Sequence, residues 1–311
     1  MLTKTIAKPT KSKTLLSPGH RACAGCGQLI AARTVAEALG PNTIIANATG
    51  CLEVTTTPYP ESAWGMPWIH SLFENASAVA SGIRAALDYK EKNKSPLPPF
   101  VKGGIKVVAQ GGDGGTFDIG FGLISGMWER GENILYVCYD NEAYMNTGIQ
   151  ASGATPWAAH TTTTPAGSHS IGSQQRKKDM IAIALAHGLP YVAQTTAGFL
   201  ADITAKVKKA AAIEGPAYIQ ILSPCVPGWG VDPAQTIKLG KLAAQTGLYP
   251  LLEYTNGQLT NVMKVPSPQP KVDEYLKSQI RFKHLFKSEE GKKELEYIQG
   301  LADENVRKYG L

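Results

Sequence analysis

The sequence has no apolar run of the ~18 residues needed to cross a membrane. Its start, MLTKTIAKPTKSK, is basic but lacks the apolar core of a signal peptide. Both features point away from a membrane partner and toward a cytoplasmic location. The net charge of +6 is modest, and no stripe of basic residues is interleaved with aromatics, so a nucleic-acid partner is not expected. The lysines gather mainly toward the two ends, where they suit solubility or the steering of an acidic electron carrier. There is no internal repeat, and no second close Cys-x-x-Cys pair of the kind a zinc ribbon needs. What remains is an ordinary globule, 43% hydrophobic and 18% charged. At 311 residues it can bury a large core, as one α/β domain or one domain plus an extension.

The densest chemistry lies between Gln110 and Gln150. An apolar strand, Lys106 to Gln110, runs into Gly111-Gly112-Asp113-Gly114-Gly115; a helix-length segment follows, and a second buried strand, Ile134 to Tyr139, ends in Asp140-Asn141. This order predicts a βαβ unit with polar groups at both strand ends. Glycines let a backbone approach a phosphate, and the following helix start offers free N–H donors. Beside a pyrophosphate the Asp113 carboxylate suits a hard divalent cation, with the Asn141 amide oxygen as a second ligand. The two residues are 28 apart, yet neighbouring parallel strands bring their ends together. For the three residues Gly-Asp-Gly alone a structural turn is the better reading; the combination with DNEAYMNTGIQ is much more specific and favours phosphate and metal.

Around this unit the pattern repeats. A loop from Pro18 to Gly27 feeds a helix from Gln28 to Leu39, stopped by Gly40-Pro41-Asn42 before a strand at 43–46. Pro58 to Pro67 reads as a loop with exposed aromatics, and Glu74 to Lys92 as a helix whose small residues permit close packing. Lys94 to Gly104 is a proline-rich surface connection. Ala151 to Gln174 is a long loop, and its HTTTTP segment reads as an active-site wall. Helices at 179–187 and 197–212 alternate with strands at 191–195 and 217–222, so the expected fold is α/β, a doubly wound, mostly parallel sheet. Residues 1–232 would form that domain. Residues 233–311, with a helix, a hairpin turning at Asn256-Gly257 and a charged helix pair, would form a C-terminal arm that embraces partners.

Of the five cysteines, Cys138 lies mid-strand and reads as a small buried hydrophobe. Cys23, Cys26, Cys51 and Cys225 sit beside glycine or proline turns, spaced as Cys-x-x-Cys, 24 residues, Cys, 173 residues, Cys. A thioredoxin-type pair leaves two of them unexplained. Four thiolates from three turns, with Pro224 beside Cys225, suit a [4Fe–4S] cluster, while zinc stays open on spacing alone.

Together, GHRACAGCG, NATGCLEV, PYPESAW, WIHSLFENA, GGDGG, YDNEAYMNTG, ILSPCVPGW and RFKHL resemble the beta subunit of pyruvate:ferredoxin and related 2-oxoacid:ferredoxin oxidoreductases over nearly the whole chain. The resemblance implies the thiamine-diphosphate-binding fold and a subunit holding the diphosphate half of thiamine pyrophosphate. It implies Cys23, Cys26, Cys51 and Cys225 as ligands of a proximal [4Fe–4S] cluster, and Asp113, Asn141 and the backbone oxygen of Ala143 as ligands of Mg²⁺. Gly112, Gly114 and Gly115 would cradle the cofactor, with Asn146 close to the reacting carbon. The implied activity is oxidative decarboxylation of a small 2-oxoacid, foremost pyruvate, with coenzyme A as acyl acceptor and ferredoxin as electron acceptor. Alpha, gamma or delta subunits would complete the complex and supply the acid that activates the cofactor; Glu37, Glu53, Glu61 and Glu74 match no such role here.

Two residues bear on the substrate. Phe117 is bulkier than the small residue expected there in a pyruvate enzyme, and Gln28 stands where many relatives carry an acid. A site short of one carboxylate could suit oxalate, which makes oxalate oxidation the alternative. A structural or electron-transfer subunit and a non-oxidative thiamine decarboxylase are the other readings; the cofactor signature opposes the first and the four cysteines the second.

Overall fold

The computed structural model describes residues 14–93 and 104–311. The N-terminal lead-in before Thr14 and the proline-rich connection at 94–103 lie outside the described residues. In chain order the first half comprises α1 (Gly27–Leu39), β1 (Thr43–Asn47), α2 (Cys51–Thr56), β2 (Trp68–His70), α3 (Ala76–Lys92), β3 (Lys106–Gly112), a π-helical turn (Gly114–Ile119), α4 (Phe121–Glu129) and β4 (Leu135–Asp140). Then follow the short ribbon β5 (Ala166–Gly167) and β6 (Ser170–Ile171), α5 (Met180–Ala186), β7 (Tyr191–Thr196), α6 (Leu200–Ala212), β8 (Ala217–Leu222) and α7 (Val226–Trp229). The last stretch holds α8 (Thr236–Gln245), β9 (Leu252–Thr255), β10 (Gln258–Val262), α9 (Val272–Leu276), a 3₁₀ segment (Ile280–Phe286) and α10 (Glu289–Tyr309).

Eight strands make one sheet in the order β10-β9-β7-β8-β4-β3-β1-β2. The six from β7 to β2 are all parallel to their neighbours, while β9 joins β7 antiparallel and β10 closes the edge as a hairpin. The sheet is therefore doubly wound and mostly parallel. Every residue of β4, β7 and β8 is buried, which is why these strands read as nearly continuous apolar runs: helices cover both their faces. One face packs Leu29, Val35 and Ala36 of α1 against Ile203 and Val207 of α6. The other packs α3, α4 and α5 through Ala80, Ile124, Met127, Trp128, Met180 and Ile181. The small residues Ala76, Ser77 and Ala80 of α3 thus serve the chain's own core.

Helix α1 ends where Gly40 adopts φ +80°, a conformation costly to any residue with a Cβ. The Asn256-Gly257 hairpin turn has positive φ at both residues, 51° and 77°. Its first strand, β9, pairs with β7, so the sheet runs unbroken past residue 232. A third core unites α8, α9 and α10 with Trp229, Tyr275 and Phe282. In the 58–67 loop the expectation of exposed aromatics holds for Tyr59, which is 97% exposed. It fails for Trp64, buried and stacked on Trp68, with its indole N–H donated to Thr56 Oγ1 at 2.8 Å.

Candidate active site

From β1 the chain passes to β2 on one side and to β3 on the other, so the strand order reverses between β1 and β3. At such a switch point a crevice opens beyond the carboxyl ends of the strands. A cleft lies there, walled by Asn47–Leu52, Gly111–Gly114, Asn141 and Ala143–Thr147, with Gln28 and Phe73 also lining it. Its floor is braced from below, where Gln110 Nε2 donates to Asn47 Oδ1 at 2.8 Å and Tyr139 donates to Gln110 Oε1 at 3.1 Å.

Register explains how Asp113 and Asn141 meet: Gly112 on β3 pairs with Tyr139 on β4, so both strands end at one level. The Asn141 N–H donates to Asp113 Oδ1 at 3.1 Å, and Ser152 Oγ donates to Asp113 Oδ2 at 2.5 Å. One terminal atom of the Asn141 amide sits 2.8 Å from both Asp113 Oδ1 and the Ala143 carbonyl oxygen. As an NH₂ group that atom would donate to both; as the amide oxygen it would complete a face of three oxygens. Cis oxygens of a Mg²⁺ octahedron with bonds of about 2.0 to 2.1 Å lie about 2.8 to 3.0 Å apart, so the spacing suits that ion. Burial, with the charge of Asp140 behind it, pushes the Asp113 carboxyl up to about 8. A divalent cation in the face would hold it ionised. The three residues fit Mg²⁺.

Gly114 must be glycine for a reason beyond phosphate access. A Cβ there would lie 2.3 Å from the Tyr144 ring, whose hydroxyl donates to the Gly114 carbonyl at 3.2 Å. The π-helical turn that follows is a form frequent at functional sites. It turns Phe117 inward: the ring is fully buried in the α3–α4 core and does not line the cleft. The expectation that Phe117 bears on the substrate finds no contact to support it, because the ring fills the core and not the cleft. Phe117→Leu should cost about 1 kcal/mol of stability in denaturant unfolding and leave the ratio of pyruvate to oxalate turnover unchanged. Gln28, by contrast, does reach the cleft, from a position only 6% exposed.

The four turn cysteines gather on the rim. Cys51 opens α2, Cys26 precedes α1 and Cys225 precedes α7. Gly27 N–H donates to the Pro224 carbonyl at 3.1 Å, and a Cβ on Gly27 would lie 2.7 Å from Pro224 N, so the 23–27 loop is pressed against the Cys225 turn. Burial pushes the Cys51 thiol up to about 11, with the charges of Cys26 and Cys23 adding to it. Cys225 rises to about 12, chiefly from burial, against the Gly228 N–H at 3.4 Å and with Cys51, Cys26 and Cys23 adding. Among the described residues no three such side chains already close around a single ion. A tetrahedral zinc with bonds of about 2.3 Å would need sulfurs about 4 Å apart, whereas an iron–sulfur cube holds its thiolates wider. Four cysteines brought together from three turns are a donor set that fits a [4Fe–4S] cluster, and by donor chemistry alone zinc as well. Cys138 is fully buried in β4.

Several residues at the site carry no local signature. Ser152 follows the strand ends by a long way in sequence, and only its membership of the long 151–174 loop hints at a role. In that loop Thr162 donates to the Gly148 carbonyl at 2.9 Å and Thr163 accepts from Ala151 N–H at 2.9 Å. The HTTTTP segment therefore props the 147–151 turn and does not wall the cleft itself. Below the oxygen face lies a group of four charges, the buried Asp140, Glu142 and Arg281 with the half-buried Lys177.

Residues 48–221 match the thiamine pyrophosphate enzyme family, C-terminal TPP binding domain. The chain is 53% identical over 302 residues to the pyruvate synthase subunit PorB of Methanosarcina barkeri, covering 97% of this chain and 99% of that one. It is 42% identical over 305 residues to the PorB of Thermotoga maritima, covering 96% and 93%. With the ketoisovalerate oxidoreductase subunit VorB of Pyrococcus abyssi it shares 43% identity over 275 residues, covering 87% and 86%. A solved 2-oxoglutarate:ferredoxin oxidoreductase from Magnetococcus marinus, with 2-oxoglutarate, coenzyme A and succinyl-CoA bound, superposes with a TM-score of 0.56. That superposition spans 88% of this chain and 93% of the other at 24% identity, and carries the likeness of fold alone.

Proposed function

The chain belongs to the thiamine-pyrophosphate-dependent 2-oxoacid:ferredoxin oxidoreductases, as a beta subunit, and from that premise we propose that it anchors the cofactor's diphosphate and passes electrons from the decarboxylation of pyruvate to ferredoxin. The observation that carries this reading is the oxygen face of Asp113, Asn141 and Ala143 at the switch-point cleft, with Cys51 on the same wall. Thiamine pyrophosphate, when bound, supplies the nucleophilic carbon and electron sink for loss of CO₂, and a [4Fe–4S] cluster takes electrons singly. The chain's own residues set the stage. Asp113, Asn141 and the Ala143 carbonyl would hold Mg²⁺ against the pyrophosphate, and Gly112, Gly114 and Gly115 would let the backbone approach it. Asn146, which lines the cleft, would lie close to the cofactor's reacting carbon. Cys23, Cys26, Cys51 and Cys225 would hold the cluster next to that centre.

Coenzyme A would accept the acyl group, and the location would be the cytoplasm. Residues 1–232 would hold the cofactors, and 233–311, whose β9 and β10 extend the same sheet, would meet the other subunits. Oxalate stays a second reading because Gln28 offers the cleft an amide instead of a carboxylate. With Phe117 in the core, that reading rests on Gln28 alone.

Among the described residues the cleft wall holds none of Glu37, Glu53, Glu61 and Glu74, so the acid that activates thiamine would come from a partner. The isolated chain, purified without oxygen, should therefore keep its iron yet turn over no 2-oxoacid until partner subunits are added. Reduction of a low-potential dye, with pyruvate, oxalate and other 2-oxoacids offered in turn to the assembled complex, reads both points. Robust turnover by the chain alone would overturn the division of labour, and turnover of oxalate without coenzyme A would replace pyruvate as substrate.

A further inference from the structure

We propose that Glu142, gripped by Lys177 and Arg281, is a positioning residue through which the C-terminal arm sets the shape of the 141–143 turn, and thereby the site's affinity for a divalent cation with pyrophosphate. The inference rests on the assignment of Asp113, Asn141 and Ala143 to that cation.

Glu142 is an outlier in its backbone: its φ is +70°, in the left-handed region that a side chain makes costly. That conformation is what lets the residues on either side serve the cleft. Asn141 and Ala143 line it, while Glu142 points to the opposite side, away from it. A residue held this way needs something to hold it. Glu142 Oε1 accepts from Lys177 Nζ at 3.0 Å, and Oε2 accepts from Arg281 Nη2 at 2.5 Å. Thr155 Oγ1 donates to the Glu142 carbonyl at 2.9 Å. Lys177 also pairs with Asp140 Oδ2 at 2.5 Å, so two carboxylates and two cations balance among themselves.

Arg281 lies in the 3₁₀ segment of the C-terminal arm, 139 residues from Glu142. It reaches the turn by a second route. Its guanidinium stacks 4.0 Å over the Trp229 ring, and Trp229 Nε1 donates to the Asn141 carbonyl at 2.9 Å. One arginine from the arm thus braces both the residue before Ala143 and the carbonyl of the ligand Asn141. A buried ion pair that merely fastened the arm to the sheet would have no need of the left-handed backbone between two cation ligands. The planar guanidinium suits this place: Nη2 donates to Glu142, Nε donates to Gln279 Oε1 at 2.9 Å, and one face stacks on Trp229.

The test separates conformational control from simple fastening. In the assembled, oxygen-free complex, thiamine pyrophosphate binding is followed by tryptophan fluorescence while Mg²⁺ is titrated. Arg281→Met should raise the Mg²⁺ needed for half-saturation by about tenfold, the scale of one strained left-handed residue. Arg281→Lys should fall between it and the wild type. The decisive pair adds a change at the turn. Arg281→Met with Glu142→Gly should return to within about threefold of wild type, because glycine adopts this φ without a clamp. Arg281→Met with Glu142→Ala should not recover. Unchanged Mg²⁺ dependence in Arg281→Met and Arg281→Lys, or equal behaviour of the Gly and Ala doubles, would overturn the proposal while leaving the cation assignment intact. A wild type that binds the cofactor without any Mg²⁺ dependence would overturn both.

Discussion

Cys51→Ala should abolish the broad visible absorbance of the chain and lower its bound iron from about four atoms toward none, while Cys138→Ala keeps both. Cys51 stands at the start of α2, on the cleft wall, where burial raises its thiol and the neighbouring thiols Cys26 and Cys23 add to the effect. A group that charges so reluctantly on its own becomes a thiolate when a metal compensates the charge. Removing one of four such ligands would leave three thiolates, which hold a cluster poorly at the rim of an open cleft. Cys138 differs in every respect that matters: it is fully buried inside β4 and paired across to Gly111 and Gln220. Its loss removes one sulfur from a packed core, a matter of stability and not of iron. The comparison is made by iron analysis and visible spectra on protein prepared without oxygen. Equal iron loss in the two variants would remove Cys51 from the ligand set.

Much of this arrangement was legible because parallel sheets write themselves plainly. Strands buried on both faces leave apolar runs, and the residues that break those runs at the carboxyl ends stand out. Asp113 and Asn141 were recognisable for that reason, and so were Cys51 and Cys225, which follow turns after strands. The resemblance to a known family carried the assignment from strand ends to named ligands. What stayed hidden was decided by distance or by local winding. Nothing between Gly112 and Gly120 announces a π-helical turn, and nothing there tells that Phe117 fills the core and not the cleft. The pairing of β9 with β7 joins segments some 60 residues apart. Asn256-Gly257 marks the hairpin but not the strand it lies against. Arg281 and Glu142 look like two ordinary surface charges in sequence, and only the fold brings them to 2.5 Å. Long-range polar contacts of this kind follow from topology, which local patterns do not encode.

Asp113→Asn should separate the stability of the empty chain from its capacity to bind the cofactor. The substitution keeps the shape of the side chain and removes its charge. In the chain without a cation that charge is opposed by burial and by Asp140, so neutralising it should leave the unliganded melting temperature unchanged or slightly raised. With cofactor and Mg²⁺ the sign reverses. The lost carboxylate is the one formal charge among the three oxygens that would face the cation, so affinity for thiamine pyrophosphate should fall by about 100-fold or more. Even outer-shell partners of a metal are commonly worth 10- to 100-fold, which makes this a lower bound. Ligand-linked stabilisation turns that into a thermal readout. At a cofactor concentration 100 times the wild-type Kd, binding adds about 2.7 kcal/mol to the wild type, but only about 0.4 kcal/mol to a variant bound 100-fold more weakly. Melting curves with and without cofactor and Mg²⁺ therefore distinguish the two proteins by several degrees. A chelator added to the wild type should reproduce the variant's response, and iron content should stay the same in both. If Asp113→Asn is stabilised by the cofactor as strongly as the wild type, the Gly112-Asp113-Gly114 turn is structural and the Mg²⁺ assignment falls with it.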